Sequence, residues 1–325
     1  MKIKDIFNLG LEMGKAADPR GARGIERWLS IQKKKYQRLS AEEKVFFDKE
    51  TLTNPYADSR IHYGDLDKQI KTLAVGIDLE EAEIALIDSY NHQNEKSGKP
   101  KIDLIINHHP IGKALAALDE VMHIQADLMA SYGIPINVAE GVMRERIAQV
   151  NRSIAPINHM RAVDAARFAD IAILNLHTPL DNLVYDYLQK YLDRKKPDTV
   201  GDVVELLRNI PEYKQATLNN AGPKIIAGSA ENRAGKVVAY DITGGTGGAK
   251  ELYPELVKAG IGTVIGMHMK DESRDEAIKN HLNVVIAGHI SSDSLGINLF
   301  LDKLELKKIK IVPLGGLIRV KRSTK

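Results

Sequence analysis

From about residue 70 onward, short apolar runs alternate with segments of helical periodicity. That alternation constrains the fold more than any other feature of the chain. The runs KTLAVGID (71–78), IDLIIN (102–107), IPINVA (134–139) and DIAILNL (170–176) read as strands, as do PKIIAGS (223–229), KVVAYDI (236–242), IGTVIG (261–266), NVVIAG (283–288) and KIKIVP (308–313). Most lack a strict apolar/polar alternation, so both faces of each strand are expected to be covered. Helical spacing marks 80–93, 112–131, 140–168 (interrupted at Pro156), 181–193, 200–220, 249–259, 272–281 and 293–305. Strands separated by helices imply mostly parallel sheets flanked by helices, an α/β fold.

The first 65 residues differ. Residues 1 to about 50 read as helical, with Ile3, Ile6, Phe7 and Gly10 on one face. Ser40 and Glu43 have capping-box spacing. Residues 51–64 read as loop, with Asn54-Pro55 as a turn signal. The segment is expected to be an N-terminal helical extension used for packing or oligomer contact. A chain of 325 residues suggests about two domains. The charged stretch KYLDRKKPDTVGD (190–202) marks a boundary between them.

Composition narrows the chemistry. The chain has no cysteine, which excludes disulfides, thiolate zinc, cysteine-ligated iron–sulfur clusters and a cysteine nucleophile. Metal ligands must come from His, Asp and Glu. The net charge of +3 gives no electrostatic case for nucleic acid. The one basic cluster, Arg319 to Lys325, reads as a solvated tail. No apolar run approaches the ~18 residues that span a membrane, and the N-terminus lacks a signal-peptide core. A cytoplasmic location is the default.

Ligands of open α/β folds gather at the carboxyl ends of strands. Three polar constellations stand there: Asn107-His108-His109-Pro110, His177-Thr178-Pro179-Leu180-Asp181, and Gly288-His289-Ile290-Ser291-Ser292-Asp293. Adjacent side chains on extended backbone point to opposite sides, so His108 and His109 suit two metal ions better than one. The plainer reading is a pair of exposed loop histidines. The other two constellations place a carboxylate four residues after a His, on one face if a helix starts between them. Their plainer readings are helix capping by Ser291, Ser292 or Asp293 and a satisfied, partly buried His177. Three such sites at strand ends in a cysteine-free chain favour a metal cleft. Imidazole with carboxylate suits Zn, Fe or Mn rather than Ca or Mg. The charge left over on two such ions would attract a small anionic substrate.

Thr243-Gly244-Gly245-Thr246-Gly247-Gly248 follows a strand and opens a helix. It matches neither a Walker A loop nor GxGxxG. It serves either as a backbone cradle for an anion or as a tight strand–helix turn. His268 also follows a strand end and is a candidate substrate-facing residue.

The ordered set DLIINHHP (103–110), LHTPLD (176–181), a Gly-Gly-x-Gly loop (244–247) and AGH with an acid four residues on (287–293) resembles the NGG-one-interacting-factor-three-like family. Its members are also labelled GTP cyclohydrolase I type 2. The resemblance runs from about 70 to 300. It implies a two-lobed α/β protein, a dinuclear metal site and a ring-shaped hexamer. Carried over by position, it implies metal ligands at His108, His109, Asp181, His289 and Asp293, with His177 beside the site. It also sets Gly244, Gly245 and Gly247 near the cleft as cofactor- or substrate-binding positions. The family pattern has Glu where this chain has Asp293. The shorter side chain reaches both metals only if the backbone moves in. The expected division is 1–65, then a metal-site lobe of 66–194 with 283–325, then a second lobe of 195–282 carrying the Gly-rich loop.

Two functions follow as expectations. One is a hydrolase that uses two divalent ions on a phosphorylated or nucleotide-like substrate, with His177 or His268 as proton shuttle and the cyclohydrolase label taken from the resemblance alone. The other is a non-catalytic metal-handling assembly or interaction platform. A plain nucleotide-binding protein leaves His108-His109 unexplained.

Overall fold

A computed structural model describes residues 1–322. In chain order the first elements are α1 (Ile3–Ala16), α2 (Gly21–Arg38), α3 (Glu43–Phe46), β1 (Arg60–Tyr63), β2 (Thr72–Gly76), α4 (Glu81–Lys96), β3 (Leu104–Asn107), α5 (Gly112–Ala116), α6 (His123–Ser131), α7 (Ile136–Ile154), α8 (Arg161–Phe168), β4 (Ala172–Asn175) and α9 (Thr178–Lys195). There follow α10 (Val200–Arg208), α11 (Pro211–Leu218), β5 (Lys224–Ala227), β6 (Lys236–Asp241), α12 (Leu252–Lys258), β7 (Ile261–Gly266), α13 (Asp271–Lys279), β8 (Asn283–Ile286), α14 (His289–Glu305) and β9 (Lys310–Pro313).

The strands form two mostly parallel sheets, giving a two-lobed α/β fold. The first has the order β1-β4-β3-β2-β9, with β1 antiparallel and the rest parallel. The second has the order β5-β8-β7-β6, with only β5 antiparallel. The unalternated runs have the expected cause. Leu73 and Val75 of β2 enter one apolar cluster with α1 and α14, while Ala74 enters another with α4 and α8. Both faces of the strand leave water.

Register sets up the site. Gly76 of β2 pairs with Asn107 of β3, which pairs with Asn175 of β4. Three adjacent parallel strands therefore end level with one another. In the second sheet, Gly266 of β7 lies between Asp241 of β6 and Ile286 of β8, so those ends are level too. Helices α9 and α14 start directly beyond β4 and β8 and pack against each other. Gly296 permits their close approach, because a β-carbon there would lie 2.4 Å from the Leu180 carbonyl oxygen.

Several local expectations change. Residues 134–139 are not a strand: α7 starts at Ile136, after Pro135. Ile134, Ile136 and Val138 alternate, but Ala139, Met143, Val150 and Ile154 are buried at helical spacing, and that longer pattern decides. Residues 60–63, read as loop, are β1, which pairs along β4. The leading segment is thereby joined to the first sheet, and Ile3, Ile6, Phe7 and Leu11 of α1 enter its core. The Ser40–Glu43 capping pair is reciprocal, at 2.8 and 3.2 Å. Strand β8, expected with the first lobe, is hydrogen-bonded between β5 and β7 in the second sheet. The basic C-terminus is anchored rather than solvated: Arg319 pairs with Asp302 at 2.9 Å, and Arg322 donates to the buried Glu212 at 2.7 Å. Residues 323–325 of that cluster lie outside the described residues.

Candidate metal centre

The carboxyl ends of the two sheets face one cleft. Beyond β3, the backbone of His108 and His109 stays bonded to Gly76 and Ile77. Asn107 pins the turn, accepting from the Leu79 N–H at 2.8 Å and donating to the His109 carbonyl at 2.9 Å. The two adjacent rings are thereby held in the cleft, their centroids 5.5 Å apart.

Three imidazoles share one arrangement. The Nδ1–H of His108 donates to the Leu176 carbonyl at 2.9 Å, that of His109 to Asp78 at 2.6 Å, and that of His177 to Asp58 at 2.7 Å. A donor commitment at Nδ1 fixes the ring and leaves Nε2 for the cleft, which is how metal-binding histidines are oriented. His108 Nε2 lies 3.2 Å from Asp181 Oδ1 and 3.7 Å from Asp293 Oδ1. His109 Nε2 and His289 Nε2 lie 3.4 and 3.5 Å from Asp293 Oδ2. Asp293 thus offers one oxygen to His108 and Asp181 and the other to His109 and His289. The i,i+4 pairs converge as their spacing implies, with His177 Nε2 3.6 Å from Asp181 Oδ2. Because α14 starts at His289, Asp293 is inside the helix and does not cap it.

Side chains of Asp181 and Asp293 are 5% and 1% exposed. Buried carboxylates need donors or a cation, since an unpaired buried charge costs several kcal/mol. Among the described residues, eight buried side-chain atoms lack a hydrogen-bond partner. Four of these meet here: His108 Nε2, Asp181 Oδ1 and both oxygens of Asp293. Three overlapping groups are spaced to hold an ion: His109, His289 and Asp293; His108, Asp181 and Asp293; and His108, His109 and His177. The buried His and Asp groups can therefore hold a metal ion. His177, which the resemblance sets beside the site, lies within one of these groups.

Electrostatics point the same way. Burial opposes charge on His108, yet Asp293 and Asp181 outweigh it and raise its pKa well above the ordinary value. Burial likewise opposes charge on His109, which Asp293 and Asp78 nonetheless raise to about 9. Burial should raise Asp293, but His108 and His109 pull it far below the carboxylate range. Burial lowers His289. The clustered carboxylates thus favour a positive charge among these rings.

The Gly-rich loop closes one side. Gly244 and Gly245 have φ of 86° and 91°, and a β-carbon would meet Gln125 at 2.9 Å or Val121 at 3.0 Å, so both positions require glycine. Gly244 is buried against Gln125, Gly245 lines the metal cleft, and Gly247 lines the next cavity. His268 stands at the junction of cleft and cavity with its side chain 44% exposed. Its Nδ1 is 3.5 Å from Asp241, and its ring centroid is 5.1 Å from that of His289.

Asp58 and Asp78 are the site residues that sequence reasoning missed. Asp78 had a visible signal, since it ends an apolar strand run whose carboxyl end points at the cleft. Asp58 has none, because it precedes a strand whose residues carry loop signals in the sequence.

Fold and site together define a class: two α/β lobes whose sheets turn their carboxyl ends on a shared His/Asp cluster. No protein-family model matches the chain, and no curated protein does. Solved structures do match. A NIF3 superfamily protein from Sphaerobacter thermophilus is 25% identical over 80% of this chain and 92% of its own, with a TM-score of 0.66. Reduced HcgD from Methanocaldococcus jannaschii is 17% identical over 85% of this chain and 98% of its own, with a TM-score of 0.51. NIF3 abbreviates NGG-one-interacting factor three, so the chain is NIF3-like, as its ordered motifs imply.

Proposed function

We propose that the chain holds two divalent metal ions, of the Zn, Fe or Mn type, and uses them to hydrolyse a small anionic substrate. One ion would take His108 and Asp181, the other His109 and His289, with Asp293 contributing an oxygen to each. The observation that carries this reading is the meeting of four partnerless buried atoms on Asp293, Asp181 and His108. A group of this kind, once bound, lowers the pKa of a shared water and polarises the attacked bond.

The protein's own side chains divide the remaining work. Asp58 accepts from both His177 and Thr178, at 2.7 and 2.6 Å, so His177 is locked in place as an orienting or ligating ring. His268 is the better proton carrier, since it reaches both the cleft and solvent. Gly245 and Thr246 let a substrate approach the backbone closely. The cavity beside the cleft favours an enzyme over a metal store, which needs no second chamber. Among the described residues no helix is long and apolar enough to cross a membrane.

The test is metal analysis of protein purified without chelator, comparing wild type with His108→Ala and His289→Ala. About two metals per chain in the wild type, with loss in both variants, is the expected result. Metal content unchanged in both would refute the site. A hydrolysis screen over phosphoesters and nucleotides then addresses turnover; activity indifferent to metal removal would refute the hydrolase reading.

A further inference from the structure

We infer that the cavity next to the metal cleft is a phosphate-recognition pocket, in which Arg146 and Lys270 take the non-reacting phosphorylated end of the substrate. This rests on the metal-centre reading for what happens at the other end. The cavity, of about 470 Å³, lies between α7, the Gly-rich loop and the start of α13. Thr246 and His268 line both it and the metal cleft, so one ligand can span the two.

Its charges are not balanced once pairs are removed. Glu272 is tied to Lys250 at 3.0 Å and Glu145 to Arg152 at 2.7 Å. Arg146 donates through Nε to the Gly247 carbonyl at 2.8 Å. Its two terminal nitrogens make no hydrogen bond or ion pair among the described residues, and neither does the ammonium of Lys270. Of the acids lining the cavity, Glu251 is the one outside these pairs, while Glu272 and the buried Asp241 also lie within Coulombic reach of the cations. A guanidinium anchored at Nε with its terminal nitrogens free suits bidentate binding of an oxyanion.

The backbone adds a donor. Gln125 donates to the carbonyls of Gly244 and Thr246, at 2.9 and 2.6 Å. In a trans peptide the following N–H points the opposite way. The Gly247 N–H is therefore turned away from Gln125, on a residue that lines the cavity. Backbone N–H groups held in this way bind anions. No Phe, Tyr or Trp lines the cavity, so a nucleobase would have only the His268 ring and the Arg146 guanidinium to stack on. The chemistry fits a phosphate or diphosphate end rather than a base.

The experiment is calorimetric titration of the metal-stripped full chain with inorganic pyrophosphate. Stripping removes direct metal–phosphate binding from the readout. Arg146→Ala is expected to weaken binding about 10- to 100-fold. Lys270→Ala is expected to weaken it by up to about 5-fold. Arg146→Lys keeps the charge without the fork and should fall between wild type and Arg146→Ala. All three should retain wild-type metal content on reloading. If Arg146→Ala disturbs the loop it anchors, seen as a changed circular dichroism spectrum, Arg146→Lys and Lys270→Ala carry the test. Wild type that fails to bind pyrophosphate, or variants that bind as tightly as wild type, would overturn the inference. His108→Ala should leave pyrophosphate binding intact, so failure of the metal centre and failure of the pocket are read separately.

Discussion

Gly296→Ala tests whether helix packing, rather than the ligands themselves, sets the geometry of the metal centre. A β-carbon at Gly296 would lie 2.4 Å from the Leu180 carbonyl oxygen, 3.0 Å from its carbon and 2.8 Å from Val184 Cγ2. A carbon–oxygen contact needs about 3.3 Å, so α14 and α9 must part by roughly 1 Å. Overpacking of this kind costs about 1–3 kcal/mol. The gain in helix propensity from Gly to Ala offsets about 1 kcal/mol of it. The net loss of up to ~2 kcal/mol corresponds to a fall in Tm of a few degrees. The effect on metal should be larger in proportion. Asp293 lies one turn before Gly296, and Asp181 follows Leu180, so parting the helices separates the two carboxylates. Sites of this kind need placement to within about 0.5 Å. Metal affinity is expected to fall about 10- to 100-fold, the usual effect of disturbing the groups behind the ligands. Competition against a chromophoric chelator measures the affinity and circular dichroism the Tm. Gly141→Ala is the control: Gly141 lies in α7 with no heavy atom within 4 Å of an added β-carbon. It should gain about 0.4–1 kcal/mol and bind metal normally. A folded Gly296→Ala protein that binds metal as tightly as wild type would refute the reasoning.

Two further outcomes are expected. Asp58→Ala leaves the buried donors of His177 and Thr178 without their acceptor and should destabilise the fold by about 1.5–3 kcal/mol; an unchanged urea midpoint would contradict this. Burial lowers His62 to about 4 and His123 to about 3, against an ordinary value of 6.5. Both rings are thus neutral when folded and take up protons readily only when unfolded. Their contribution is complete above about pH 6.5 and is lost as pH falls through 4 towards 3. Urea midpoints from pH 8 to 4 should decline below about 6.5, and a flat profile would count against buried neutral rings.

The strand ends were readable because two signals agree there. Apolar runs locate β3, β4 and β8, and a polar residue following such a run must sit at a sheet edge. The i,i+4 spacing of His177 with Asp181 and of His289 with Asp293 then survives any small error in where the helix begins. What escaped reading depends on tertiary context. Strand β1 carries only Ile61 and Tyr63 as apolar residues, and its pairing with β4 is set by β4 rather than by its own pattern. Asp58 inherits that difficulty, because its role comes from a histidine more than a hundred residues away. The start of α7 was masked by three alternating apolar residues whose helical continuation lies further on. Arg322 looked solvated because its partner, the buried Glu212, lies in a distant helix.

The centre draws on Asp58 and Asp78 near the start of the fold, on His108, His109, His177 and Asp181 in the middle, and on His289 and Asp293 near the end. No local stretch holds all of these residues, and Asp293 stands in the helix that follows β8 of the second sheet. On the proposed reading, a loaded centre requires all of these segments at once. A chain truncated before α14 keeps His108, His109 and His177 but lacks His289 and the Asp293 carboxylate that His108 and His109 approach. If the proposed centre forms, fragments ending before residue 289 should not copurify with a full complement of metal.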